Sequence, residues 1–160
     1  MASDGDAINV VRAMPRPTTQ DPTTAEDPTL DGKTGYMYFD MEVGDLGNLR
    51  EYIANSSPIY INEGFVGWVG RQIVNGLGWL HDRHYLHGDV KPDNIFVFPA
   101  ENAPHFKLGD LGTAVELDGE GKDTKHRVHR CLTSHPYAAP EMLLAGFDNT
   151  IITLGADIYS

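Results

Sequence analysis

Asp89, Lys91 and Asn94 stand within six positions of one another in the stretch HGDVKPDNIFVF, residues 87–98. Pro92 stiffens the loop between them, and an apolar run follows directly. Two readings of such a cluster are open: a polar turn ahead of a strand, or a site that handles phosphate and a divalent metal. The second makes definite chemical demands. Phosphoryl transfer needs metal ligands, a positive group on the moving phosphate, and a carboxylate that orients the attacking hydroxyl. One loop here holds an amide oxygen, an ammonium and a carboxylate. Asp110, in KLGDLG, adds a second hard oxygen of the kind magnesium takes.

The surrounding elements decide whether these groups meet. NIFVF and HFKLGD, separated by the Pro-bounded turn PAENAP, make a hairpin. A hairpin brings Asn94 and Asp110 together across sixteen positions. Upstream, Phe65, Val66, Val69, Ile73, Leu77 and Leu80 recur at helical spacing, which predicts a helix from about Asn62 to Arg83 with one apolar face. NLREYI reads as a short helix closed before Pro58, and YMYFDMEV, residues 36–43, as a largely buried strand. Residues 112–135 read as a long polar loop, and APEMLLAG as a short helix with Pro140 in its first turn. GADIYS looks like the first turn of a further helix.

Residues 1–35 have a different texture. PRPTTQDPTTAEDPTLDGKTG is rich in Pro, Thr and acidic residues and lacks periodicity, so the segment reads as a disordered, low-complexity tail or loop. The net charge of −11 argues against a general nucleic-acid binder. The lone Cys131 rules out an internal disulfide, and no apolar stretch approaches the length of a membrane span. No secretory leader is visible. The expectation is an intracellular protein, cytoplasmic or nuclear, without nucleic-acid or membrane partners; nothing in the sequence sets an oligomeric state.

HGDVKPDNIFVF, KLGDLGTA, YAAPEML and ADIYS occur in the order and rough spacing of the eukaryotic protein kinase family, and the chain resembles that family over about residues 36–160. The four stretches resemble its catalytic loop, metal-binding motif, end of the activation segment and start of the central helix of the large lobe. The resemblance implies an α+β, protein kinase-like fold, mainly the helical large lobe with a hinge strand and a β-hairpin, and incomplete. It implies ATP and Mg²⁺ as cofactors and a protein substrate phosphorylated on Ser or Thr. Asp89 matches the catalytic base and Lys91 the lysine on the transferred phosphate; Asn94 and Asp110 match the metal ligands. Lysine two positions after the base is similar to Ser/Thr-specific members. MEVG resembles the hinge, with Met41 as gatekeeper, Glu42, Val43 and Gly44 bonding adenine through their backbone, and Phe96 as the apolar floor beneath the base. Ser134 falls where such kinases place a hydroxyl facing the catalytic aspartate, and Glu141 and Asp157 match structural anchors, Asp157 supporting the catalytic-loop backbone.

Departures from the family pattern are equally specific. Gly88 replaces the usual arginine, Leu111 the usual phenylalanine of the metal motif, and Thr133 a usual glycine. No GxGxxG and no VAIK-type lysine strand appears upstream. The expectation is therefore the middle of a kinase domain joined to an unrelated N-terminal tail, inactive on its own, with a pseudokinase-like binding module or truncated remnant as the alternative. His81, His84 and His87 straddle a helix end, and His126, His129, Cys131 and His135 cluster later; the resemblance implies packing roles for His81 and His87, as against a zinc site. Lys122, Lys125, Arg127 and Arg130 read as a solvated basic run, balanced by Asp118, Glu120 and Asp123, with docking of an acidic or phosphorylated partner as the alternative.

Overall fold

The structure, a computed structural model of the chain, describes residues 9–12, 41–122, 136–144 and 151–160. Helix α1 (Leu49–Asn55) starts at a reciprocal cap: the Asn48 side chain accepts from the Glu51 amide, and the Glu51 carboxylate accepts from the Asn48 amide. Helix α2 (Glu63–His81) is capped by Asn62 and buries Val69, Gln72, Ile73, Gly76, Leu77 and Leu80. It ends two residues ahead of the expected Arg83. Val66, placed on the apolar face by periodicity, is 62% exposed.

Strands β2 (Ile95–Phe98) and β3 (His105–Leu108) form the expected antiparallel hairpin, with Ile95 opposite Leu108 and Phe98 opposite His105. The main core lies between this hairpin and α2. Phe65 and Phe106 meet edge to face at 5.9 Å, and Tyr52 of α1 completes the aromatic trio. A smaller core gathers Leu86, Leu117, Met142 and Ile152 beneath α3 (Pro140–Leu143) and α4 (Gly155–Tyr159).

Two expectations need correction. The reading of residues 1–35 as an unpacked tail fails at residues 9–12. Val10 is 3% exposed and pairs in parallel with Leu108; the Val11 amide donates to Leu108 O at 2.7 Å, and the Leu108 amide to Asn9 O at 2.8 Å. The composition of the long Pro- and Thr-rich stretch had masked a short run, Asn9, Val10 and Val11, that covers the open edge of β3. The reading of 112–135 as one polar loop fails at its start: β4 (Val115–Glu116) pairs with β1 (Tyr85–Leu86), and Leu117 is buried. Residues 123–135 lie outside the described residues, as do 36–40 of the expected hinge strand. Among the described residues no helix is long and apolar enough to cross a membrane.

The seat of residues 9–12 has a testable cost. A Cβ added at Gly76 would lie 2.5 Å from the Asn9 carbonyl oxygen and 3.2 Å from Leu108 Cδ1. Alanine's better helix propensity is worth roughly 1 kcal/mol, but overpacking against fixed backbone costs about 1–3 kcal/mol. Gly76→Ala is expected to lose about 1–2 kcal/mol net in a urea titration. A gain instead would mean that Asn9 does not sit on α2.

Candidate active site

The loop between β1 and β2 takes its shape from buried hydrogen bonds on three sides. Asp157, at 3% exposure, accepts from the His87 amide at 2.8 Å and from His81 Nε2 at 2.9 Å through Oδ2, and from the Gly88 amide at 2.8 Å through Oδ1. The imidazole of His87 is fully buried. Its Nδ1 accepts from the Asp89 amide at 3.3 Å, which leaves the ring proton on Nε2 to donate to Gly109 O at 3.0 Å. One neutral ring thus ties the strand before Asp110 to the loop that carries Asp89. Gly88 has φ of +80°, and a Cβ there would stand 3.2 Å from Thr113 O. The glycine is therefore suited to its backbone as well as being a departure in side chain.

Around the Asp89 carboxylate the expected residues converge. Lys91 Nζ donates to Oδ2 at 2.6 Å, and Asn94 Nδ2 donates to Oδ2 at 3.0 Å and to the Asp89 carbonyl at 2.8 Å. With its nitrogen so committed, Asn94 has its oxygen as the remaining ligand atom. Asp110 takes a left-handed backbone, φ 55°, and its carboxylate accepts weakly from the Gly112 amide at 3.4 Å. Asn94 and Asp110 line one cavity of about 790 Å³, together with Met41, Phe96, Val11 and Leu111. Its size is that of a small-molecule site. Two protein oxygens with room for phosphate and water suit magnesium, which rarely uses an all-protein cage. Among the described residues no three His, Cys, Asp or Glu gather to hold a metal; the ring nitrogens of His81 and His87 are engaged with Asp157, Gly109 and Asp89, and His126, His129, Cys131 and His135 lie outside those residues.

The hinge residues divide. Met41 faces the cavity, while Val43 is 72% exposed. The Glu42 carboxylate turns to Lys107 Nζ, with both oxygens at 2.8 Å, and to the Arg12 amide at 2.8 Å. Burial alone would push this carboxyl up, but the hydrogen bonds from Lys107 and Arg12 outweigh it and hold the group below its ordinary range. In return the Glu42 amide donates to Arg12 O at 3.1 Å, so residues 9–12 brace Glu42 against β3. Sequence patterning missed Val11, Arg12 and Lys107, because a short apolar run inside a polar stretch carries no periodic signal. It also missed Arg50, whose guanidinium meets Asp93. Ser134 lies outside the described residues.

The chain matches the model of the protein kinase domain over residues 26–160, and it belongs to the protein kinase family. The match begins inside the segment read above as a tail. The mouse interferon-induced, double-stranded RNA-activated protein kinase is 30% identical over 123 residues, which cover 77% of this chain and 22% of that protein. The eukaryotic translation initiation factor 2-alpha kinase pek-1 of Caenorhabditis elegans is 28% identical over 123 residues, 70% of this chain and 11% of the relative. Human mitogen-activated protein kinase kinase kinase 6 is 35% identical over 86 residues, 53% of this chain and 6% of the relative. The chain therefore spans less than a quarter of the length of these relatives. The α+β fold, with helices and small antiparallel sheets, is that of a partial kinase domain.

Proposed function

We propose that the site belongs to a Ser/Thr protein kinase that moves the γ-phosphate of ATP to a protein hydroxyl. The observation that carries this reading is the convergence of Lys91 and Asn94 on one oxygen of Asp89, with Asn94 and Asp110 lining the same cavity. Lys91 and Asn94 hold the carboxylate against rotation, so that it takes the substrate's hydroxyl proton from a set direction. As the new phosphorus–oxygen bond forms, the bond to the bridging oxygen of ADP breaks, and the proton passes to Asp89. Lys91, whose Nζ lies 2.6 Å from Asp89 Oδ2, would meet charge on the moving phosphate. Asn94 and Asp110 would hold magnesium, which supplies charge neutralisation on the phosphates. Met41 and Phe96 would bound the adenine, with the backbone of Glu42, Val43 and Gly44 as its hydrogen-bonding edge.

A second reading, a non-catalytic binding module, is favoured by one observation: the sequence has no GxGxxG stretch and no VAIK-type lysine strand. The 160-residue chain alone is accordingly expected to transfer little or no phosphate, yet to bind ATP in a magnesium-dependent way. Calorimetry with and without magnesium tests this. Asp110→Ala is expected to lower MgATP affinity by at least about tenfold. Binding that ignores both magnesium and this substitution would sink the kinase assignment of the cavity.

A further inference from the structure

Arg50 stands outside the core, yet it joins three parts of the chain. It is the second residue of α1, and that helix is fixed by its reciprocal cap and by buried Leu49. Arg50 Nε donates to Asp93 Oδ1 at 2.8 Å and Nη2 to Asp93 Oδ2 at 2.8 Å, a fork on a fork. Nη2 also donates to the Tyr137 hydroxyl at 3.1 Å. Asp93 lies between Lys91 and Asn94 in the turn Pro92–Asn94. Tyr137 belongs to the short segment that leads into α3, whose Met142 is packed in the smaller core.

The side chains of Arg50 and Asp93 are 54% and 39% exposed. Ion pairs this open contribute little to folding stability. What a bidentate guanidinium does set is direction: its plane and both donor vectors are fixed at once, which an ammonium does not achieve. The gain from such a pair beside Lys91 and Asn94 is therefore geometric. It fixes how the segment 136–139 lies against the loop of Asp89.

We propose that Arg50 is a positioning residue for the acceptor side of the site, gripping Asp93 and Tyr137 so that a protein substrate's hydroxyl-bearing segment meets Asp89 in register. This rests on the phosphotransfer reading above. Asp93 also lines the nucleotide cavity. The Met41 and Phe96 end of that cavity, however, is braced by Glu42 with Lys107 and Arg12, residues distinct from the Asp93 and Tyr137 that Arg50 holds. Loss of Arg50 should therefore separate the two substrates.

The test is steady-state phosphorylation of a Ser-containing peptide by a longer protein that carries the small lobe as well as this chain, and by its variants. Arg50→Ala is expected to raise the peptide KM about tenfold, with kcat and the ATP KM within about twofold of the parent. Arg50→Lys keeps the charge but not the fork and should not restore the peptide KM. Tyr137→Phe, which deletes one oxygen, should raise the peptide KM by less, and adding it to Arg50→Ala should change nothing further. An unchanged peptide KM, full rescue by lysine, or a parallel rise in the ATP KM would each overturn the proposal. Amide hydrogen exchange across 136–144 tests the grip without catalysis. Faster exchange in Arg50→Ala supports it, and unaltered exchange overturns it. A longer protein that carries the small lobe yet transfers no phosphate would instead defeat the kinase reading, and the grip is then decided by exchange alone.

Discussion

In a longer protein that carries the small lobe, Asp89→Asn is expected to lower kcat by about 10²–10⁴, the scale on which a positioned acid–base group contributes. The substitution is close to isosteric. It retains an oxygen that can accept from Asn94 Nδ2, now 3.0 Å from Oδ2, but it removes the charge that Lys91 meets at 2.6 Å. The asparagine amide has no basicity with which to take the hydroxyl proton, while the cavity holding Met41, Phe96, Asn94 and Asp110 is left as it stands. MgATP affinity should therefore change little while turnover collapses. The comparison is made on steady-state turnover beside calorimetric binding. Undiminished turnover would remove Asp89 from the chemistry; weakened nucleotide binding with kcat intact would move its role to the ground state.

The largest stability effect is expected at Asp157. Its carboxylate is almost fully buried and accepts from two backbone amides and one imidazole, all in the loop or the helix end that supports it. Asp157→Ala leaves those donors facing a cavity. A buried donor without a partner costs about 1–3 kcal/mol, and two backbone amides and one imidazole lose their acceptor here. These losses overlap, so a total of roughly 3–5 kcal/mol is expected, a large part of the 5–15 kcal/mol typical of a domain. Urea unfolding reads the loss. Because His87 orients both the Asp89 amide and Gly109 O, the same change should loosen the loop and cut activity. A loss under about 1 kcal/mol would mean the amides of residues 87 and 88 find other acceptors.

Where the physics is local, the sequence was readable. The hairpin follows from two short apolar runs around a Pro-bounded turn, and its register alone brings Asn94 towards Asp110. Helix α2 follows from spacing, although periodicity could not tell that Val66 faces outward and that Gln72 faces in. Gln72 is buried because its side-chain oxygen accepts from Asn9 Nδ2 and from the Phe106 amide. That role depends on residues far away in the chain.

Distance along the chain also explains the readings that failed. Arg50 meets Asp93 across 43 positions and Tyr137 across 87, and Glu42 meets Lys107 across 65. Nothing in the local pattern at either end announces such a partner. Residues 9–12 look like part of a polar tail until β3 presents an open edge, and Val115–Glu116 look like loop until β1 lies beside them.

By itself, then, the sequence determined the residue types of the site, the loop and hairpin that carry them, and the family they belong to, because turn chemistry and side-chain period act over a few residues. Only the tertiary structure decided that Asp157 and His87 hold that loop from behind, that Arg12 and Lys107 hold the Glu42 carboxylate, and that Arg50 ties Asp93 to Tyr137. Each of those bonds forms because folding brings distant donors and acceptors to within about 3 Å, and hydrogen-bond strength falls steeply beyond that range.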